Sequence, residues 1–200
     1  RETQAVEAAL DRQVDGLIFA AMRAREVFVP DVAINVPTVM LNGTSARFPV
    51  SVLPDEYEGG RAAVGALFAS GIREGIVLLG YNAKEEAQLF RSATLTQRFA
   101  GIGDAMAEAG LGFVAELSCW NWEPEKGYEL AKKALKAVKP RAFLCLNDRL
   151  AFGAYQAIAD AGLSVPGDVA LVSFDNDEIS SYLRPGLTTI GLPHEQMGRM

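Results

Sequence analysis

Short apolar runs alternate with segments of helical periodicity along most of this 200-residue chain. Each run is bounded by Gly, Pro, Asp or other polar residues and is too short for a helix, which is typical of a buried strand. The segments between the runs repeat apolar residues at helical spacing, and several end at Gly, which predicts amphipathic helices. The predicted strands are 16–20, 38–41, 50–53, 76–79, 113–117, 142–146 and 169–174.

The predicted helices and strands alternate from Asp55 to Phe174 with short connections. Such alternation predicts an α/β fold in which a parallel sheet is flanked by helices. Residues 1–53 show the end of a similar pattern. We therefore expect a partial N-terminal lobe over 1–53, a C-terminal lobe over 54–187 and a segment over 188–200 that returns to the first lobe. Several short crossings between two lobes are typical of a hinged clamp around a cleft.

Polar and aromatic side chains follow several predicted strands at the point where each strand ends. The carboxyl ends of parallel strands meet at one edge of a sheet, and open α/β sheets bind small ligands there. Carboxylates and carboxamides suit the paired hydrogen bonds of ring hydroxyls, and Trp or Tyr suits the apolar face of a sugar or base. These candidates are Asn42, Tyr81, Asn82, Trp120, Asn121, Trp122, Asn147, Asp148 and Asp175.

Some of these candidates also have a purely structural interpretation. Asp148 stands where a helix is predicted to begin and is a plausible N-cap. Trp120 and Trp122 alternate, so at least one of them is expected to serve packing alone. Arg98, on the entry turn of a helix, could equally be a solvated surface residue. Asp175 is the strongest candidate, because a carboxylate directly after a buried strand is more often functional than structural.

Composition narrows the functional classes. The net charge of −6 argues against a broad basic face for nucleic acid. No apolar run approaches the roughly 20 residues that a membrane-spanning helix needs. The two cysteines, Cys119 and Cys145, are far apart in sequence and make no disulfide framework, which favours a reducing compartment and the cytoplasm.

The motifs of common catalytic and metal sites are not found in the sequence. His194 is the one histidine, which gives little support to a Ser/His/Asp triad. Two distant cysteines with one histidine give no zinc spacing. The run from Asp175 to Asp177 resembles the start of a calcium loop but lacks its later ligands. Gly101 and Gly103 fall inside a helical pattern, so they are not a dinucleotide loop. We therefore expect neither an enzyme nor a metal or cofactor site.

Several long motifs resemble the effector-binding core of the lactose-repressor (LacI) family of bacterial transcription regulators. The most specific are VPGDVALVSFDND at 165–177 and RPGLTTI at 184–190. LNDRLAFGAYQAIADAGL at 146–163, QRFAGIGDAM at 97–106, DEYEGGRAAVGAL at 55–67 and VDGLIFA at 14–20 follow the same family pattern in the expected order. The resemblance covers nearly the whole chain. It implies a two-lobed fold of the type I periplasmic-binding-protein class, with an effector bound between the lobes.

The resemblance also implies roles for particular residues. Arg98, Asn147 and Asp175 would hold effector hydroxyls, and Trp122 would stack on the ligand. Asn42 stands where the family often has Asp. Asp55, Phe174 and Tyr81 complete the set of ligand-binding candidates. Ser173 replaces the usual Gly before the aromatic–Asp pair, and Ile72 replaces a common His. The segment from Tyr81 to Thr94 has no counterpart that we can assign.

The resemblance further implies what the whole protein does. A sugar-like effector would shift the lobes and thereby control how a DNA-binding headpiece, expected before Arg1, binds its operator. Dimers would form through the helix from Ala151 to Ala161 and the segment from Ile179 to Arg184. One alternative is an extracytoplasmic solute-binding protein of a sugar transport system. Another is a sugar- or nucleotide-modifying enzyme of doubly wound fold.

Overall fold

A computed structural model describes residues 2–80, 94–119 and 121–200. Tyr81, Asn82, Trp120 and the segment 83–93 lie outside the described residues. The chain divides into two compact units. The first unit contains the residues up to Asp55, the start of one helix as far as Gln97, and Pro193–Met200. The second unit begins at Glu56 and, after that start of a helix, continues from Arg98 to Leu192.

The first unit contains a parallel three-stranded sheet. Its strands are β1 (Leu17–Glu26), β2 (Thr38–Thr44) and β3 (Ser51–Val52), in the spatial order β1-β2-β3. The helices of this unit are α1 (Glu2–Asp11) and α7 (His194–Arg199). Val6, Met40 and Met197 are among its buried side chains.

The second unit contains a parallel five-stranded sheet in the order β5-β4-β6-β7-β8. The strands are β4 (Ile76–Gly80), β5 (Ala115–Ser118), β6 (Ala142–Cys145), β7 (Ala170–Asp175) and β8 (Thr188–Gly191). The helices are α2 (Glu56–Ala69), α3 (Leu95–Glu108, which starts in the first unit), α4 (Pro124–Ala137), α5 (Asp148–Asp160) and α6 (Glu178–Tyr182).

Burial of apolar residues in its central strands stabilises this sheet. Every residue of β4 and β6 is buried, so these strands are apolar throughout instead of alternating. That pattern is expected where helices cover a parallel sheet. The core includes Phe143, Leu144 and Leu79 from the strands and Ile158 from α5. The predicted α/β class with parallel sheets and flanking helices is confirmed.

Two expectations from the sequence need correction. Strands β1 and β2 continue to Glu26 and Thr44, beyond the predicted ends at residues 20 and 41, so Asn42 lies inside a strand. The run that begins at Thr188 does not simply return the chain to the first unit, because it pairs in parallel with β7 as the fifth strand. The division into units accordingly falls between Leu192 and Pro193.

Three further features of the described residues concern membrane-spanning helices, metal sites and reactive cysteines. None of the helices in the described part of the chain is long and apolar enough to cross a membrane. Within the same residues, no group of three or more His, Cys, Asp and Glu side chains is arranged to hold a metal ion. Cys119 and Cys145 are buried free thiols, and burial raises the pKa of Cys119 to about 11. A thiol of this kind is unreactive at neutral pH.

Candidate ligand-binding site at the sheet edge

The carboxyl ends of the five parallel strands in the second unit lie at one edge of the sheet. Asp175 is the last residue of β7, and Asn147 is the second residue after the end of β6. Arg98 reaches the same edge from α3, since its guanidinium contacts the carbonyl of Leu146. Arg98, Asn147 and Asp175 therefore lie at the same edge of this sheet.

Arg98 is buried at this edge and paired with Glu56. Its Nε donates to Glu56 Oε2 at 2.6 Å, and its Nη2 donates to Oε1 of the same carboxylate at 2.9 Å. Its Nη1 donates to the carbonyl of Leu146 at 2.9 Å. Only 3% of Arg98 and 5% of Glu56 are exposed. The pair is therefore a planar, bidentate interaction in which each partner neutralises the charge of the other.

Phe174 forms the floor under this pair. The ring is 1% exposed, and the Arg98 Cζ lies 4.2 Å from its centroid. A guanidinium at this distance over a ring gains a cation–π interaction, which is stronger where water is excluded. Phe174, a predicted ligand-binding residue, is thus placed beneath Arg98.

A close crossing of α2 and α3 sets the position of the pair. A Cβ added to Gly60 would lie 2.3 Å from the carbonyl oxygen of Arg98, and one added to Gly101 would lie 2.0 Å from that of Tyr57. Any side chain at either position would force the helix backbones apart. The two glycines let the first turn of α2, which carries Glu56, approach α3 closely enough to pair with Arg98.

Asp175 is the partly exposed member of the cluster. Its side chain is 37% exposed, and its Oδ1 lies 3.9 Å from Arg98 Nη2. The backbone at Asp175 has φ +103°, and that at Asn176 has φ +54°. Residues other than Gly rarely adopt such values, and strain of this kind is concentrated at functional sites. These two backbone conformations redirect the chain where β7 ends.

The electrostatics of Asp175 follow from its neighbours. Burial raises the pKa of Asp175 to about 6, and the nearby Asp148, Glu56 and Asp177 carboxylates act in the same direction. Arg98 opposes the shift. Because Arg98 is already shared with Glu56, it only partly offsets the burial of this carboxylate.

Asp148 stabilises the turn after β7 through two hydrogen bonds. It is fully buried, accepts a hydrogen bond from the Ser173 hydroxyl, and accepts one from the backbone N–H of Asp177 at 2.7 Å. Burial raises the pKa of Asp148, while these hydrogen bonds lower it. Ser173, which replaces the Gly usual in the family pattern, thus has a defined partner. The predicted N-cap role of Asp148 is wrong, because Asp148 is the first residue of α5 and the N-cap is Asn147.

Asn147 is the N-cap of α5. Its Oδ1 accepts the backbone N–H of Leu150 at 2.9 Å, which satisfies a helix-end donor. Its Nδ2 donates to the carbonyl of Trp122 at 3.3 Å. Trp122 in turn donates from its indole Nε1 to the carbonyl of Gly80 at the end of β4. Asn147 and Trp122 therefore tie together the ends of β4, β6 and the segment before α4.

The remaining candidates lie elsewhere. Asn42 belongs to the first unit, where its backbone has φ +53° and its Nδ2 donates to the carbonyl of Ala21 at 3.0 Å. Asp55 is exposed and directly precedes α2. Tyr81 lies outside the described residues. Among the predicted candidates, the second unit thus brings together Arg98, Asn147, Asp175, Phe174 and Trp122.

Glu56 is the site residue that sequence reasoning missed. A Glu in the first turn of a helix is normally a solvated partner of the helix dipole, so its burial has no local signal. An indirect signal exists, because Gly60 and Gly101 both interrupt helical patterns where Gly is unfavourable. An unfavourable Gly in a helix often marks a close approach of another element.

Fold and site together define a small-molecule-binding α/β domain, with polar groups collected at the carboxyl edge of a parallel sheet. The pattern of the periplasmic binding protein-like domain family matches residues 64–200, more than half of the chain. The chain belongs to this family.

The chain is similar in sequence or structure to several named transcription regulators. It is 29% identical over 200 residues to the HTH-type transcriptional repressor PurR of Actinobacillus pleuropneumoniae, covering 96% of this chain and 56% of the repressor. It is 28% identical to the ribose operon repressor of Haemophilus influenzae, covering 100% and 59%. A LacI-family transcriptional regulator protein from Rhizobium etli superposes with a TM-score of 0.83 at 26% identity, covering 100% and 72%.

These findings confirm the resemblance to the LacI family that the motifs indicated. The chain spans little more than half the length of the two repressors that it matches. The relatives are named as repressors and regulators, not as enzymes or transport proteins.

Proposed function

We propose that this chain is the effector-sensing part of a LacI-type transcription regulator. The proposal rests on a cluster of polar side chains at the carboxyl edge of the sheet, formed by Arg98, Glu56, Asp175 and Asn147. It also rests on the similarity of the chain to proteins that are named repressors. The names of those relatives favour regulation over the alternative of a transport-associated solute-binding protein.

The ligand in this proposal is a sugar or related polyhydroxylated molecule. Asp175 offers acceptor oxygens at the exposed side of the cluster, and Trp122 offers a half-buried aromatic surface nearby. Hydroxyl groups can donate to such a carboxylate, and the apolar face of a sugar ring can pack on an indole. Asn42, Asp55 and Tyr81 remain predicted ligand contacts.

The mechanism is a shift in population. An effector that binds one arrangement of the two units more tightly favours that arrangement by its difference in affinity. In the whole regulator this change would control how operator DNA is bound by a helix-turn-helix segment outside this sequence. The protein would work in the cytoplasm, where its DNA target lies.

The proposed regulator is a homodimer. The expected interface uses the helix from Ala151 to Ala161 and the segment from Ile179 to Arg184. Much of the helix is buried within its own unit, so its exposed face, with Gln156 and Ala159, is the part open to a partner. Tyr182, which is 66% exposed, offers an apolar contact on the second segment.

Thermal unfolding with a panel of sugars, polyols, nucleobases and nucleosides tests this function. A ligand at 100 times its Kd should stabilise the protein by about 2.7 kcal/mol. The Asp175→Ala variant should lose the shift, whereas Asp11→Asn, at the exposed end of α1, should keep it. Full-length protein should bind its operator in a ligand-dependent manner. Stabilisation that Asp175→Ala leaves intact, or operator binding indifferent to the ligand, would contradict the proposal.

A further inference from the structure

The charge that a ligand meets at this sheet edge differs from what Arg98 alone would suggest. An exposed arginine among strand ends would favour a phosphate or carboxylate on the ligand. Here the guanidinium is 3% exposed and its Nε and Nη2 both donate to Glu56. An anionic ligand could reach these donors only by displacing Glu56, which is itself buried.

The rest of the cluster is acidic. Among the described residues, the charged groups that act on Asp175 are Arg98, Asp148, Glu56 and Asp177. Within this described set, one cation therefore faces four carboxylates, Asp175 included. Asp175 lies beside the Arg98–Glu56 pair with 37% of its side chain exposed, and Asp177 is exposed as well. A ligand that approaches this edge meets a carboxylate first.

From this geometry we infer that Glu56 is a specificity-determining residue, which restricts the site to neutral or cationic ligands that donate hydrogen bonds to Asp175. Its carboxylate occupies the position on Arg98 that a ligand phosphate or carboxylate would otherwise take. Amino sugars, polyols and uncharged sugars or nucleosides fit this environment. Their phosphate esters do not, because they would add negative charge beside Asp175, where the described residues offer no free cation to receive it. The inference rests on the proposed ligand-binding function.

The raised pKa of Asp175, about 6, agrees with this assignment. The shift shows that the surroundings already disfavour one negative charge at this point. A further anion would face the same penalty, whereas a hydrogen-bond donor or an ammonium group would relieve it.

The first experiment compares matched neutral and phosphorylated compounds on the wild-type chain. The probes are ribose and ribose 5-phosphate, glucose and glucose 6-phosphate, adenosine and adenosine monophosphate, with glucosamine as the cationic member. Each is titrated calorimetrically at pH 7.5. Whichever skeleton binds, its phosphate ester should bind at least tenfold more weakly. A phosphate ester that binds as tightly as its parent overturns the inference while leaving the proposed function in place. Absence of binding by every probe counts against the proposed function and removes the inference with it.

The second experiment uses inorganic phosphate as the probe and needs no knowledge of the ligand. Glu56→Ala leaves the guanidinium uncompensated and opens the space of the carboxylate. This variant should bind phosphate at least tenfold more tightly than wild type, and the double variant with Arg98→Gln should lose that gain. Glu108→Gln is the matched control, because Glu108 pairs with Arg61 between the same two helices but is exposed.

A measurement on the wild-type protein covers the case in which Glu56→Ala does not fold. The Nε–H resonance of Arg98 should stay unmoved in a phosphate titration of the wild-type chain. A saturable shift of that resonance would show that phosphate reaches the guanidinium despite Glu56. Such a result would overturn the inference.

Discussion

Arg98 and Glu56 pair across 42 residues of sequence through two hydrogen bonds of 2.6 and 2.9 Å inside the second unit. Replacing one member leaves the other charge buried without its partner. We expect Glu56→Gln to lower the free energy of unfolding by about 3–5 kcal/mol, as is usual when a buried ion pair is broken. Urea denaturation followed by circular dichroism measures this change.

Glu108→Gln serves as the control for that measurement, since its bidentate pair with Arg61 joins the same helices at the surface. Solvent screens this exposed pair, so the change should be much smaller. Replacing both Glu56 and Arg98, with Gln and Met, should recover part of the loss. Equal losses for Glu56→Gln and Glu108→Gln would show that burial adds nothing to the inner pair.

Gly101 and Gly103 offer a second matched comparison within α3. A methyl group at Gly101 would lie 2.0 Å from the Tyr57 carbonyl, whereas one at Gly103 has nothing within 4 Å. Gly101→Ala should therefore destabilise the protein by about 1–3 kcal/mol or more through overpacking. Gly103→Ala should stabilise it by about 0.5–1 kcal/mol through helix propensity. Thermal or urea unfolding of both variants gives the signs, and a neutral Gly101→Ala would mean that the helices cross less closely.

Asp175 should make stability depend on pH in an unusual direction for a carboxylate. Its pKa is about 6 in the folded protein and about 4 when unfolded, so the folded state binds more protons between these values. Its contribution thus lowers the free energy of unfolding as pH rises from about 4 to 6. Asp175→Asn should remove this slope.

At pH 7, Asp175→Asn should raise stability by about 1 kcal/mol, after allowance for solvent screening of a partly exposed group. At pH 4 the variant and wild type should be nearly equal. Unfolding curves at half-unit pH intervals separate these outcomes. A variant that keeps the wild-type slope between pH 4 and 6 would place the raised pKa on another residue, such as Asp148.

Asn147 combines a helix cap with a tie to Trp122, and two substitutions separate these roles. Asn147→Ala loses both hydrogen bonds and should cost about 1 kcal/mol or more. Asn147→Asp keeps the capping oxygen but loses the amide donor to the Trp122 carbonyl. Its stability should therefore lie between those of Asn147→Ala and wild type.

Tryptophan fluorescence, as well as unfolding, reports on the Asn147 variants, because the indole of Trp122 is held at the end of β4. Asn121→Ala, at an exposed neighbouring position, is the control and should change neither signal. An Asn147→Ala variant as stable as wild type would contradict the capping role.

The sequence predicted the second unit well because its strands are buried on both faces. Such strands appear as uninterrupted apolar runs, and the ends of β4, β6 and β7 fell within about a residue of the prediction. The first unit was harder. Strand β1 continues through exposed and charged residues, with Met22 98% exposed, so periodicity gave no sign of its full length.

The candidate site was only half predictable for a similar reason. Asp175 and Asn147 follow apolar runs, which marks them directly. The family resemblance singled out Arg98. The salt bridge that Arg98 forms, however, depends on Glu56, which is far away in sequence and in a different helix. No local pattern distinguishes a buried first-turn Glu from a solvated one. The three-dimensional crossing of the helices decides that question.

That crossing has an evolutionary consequence. The separation between positions 56 and 98 is fixed by two residues without side chains, Gly60 and Gly101, where backbone meets backbone. A lineage that replaced either glycine would displace the guanidinium and release its carboxylate partner. The tolerance of the protein for charged metabolites could thus diverge between descendants while every residue that touches the metabolite stayed the same.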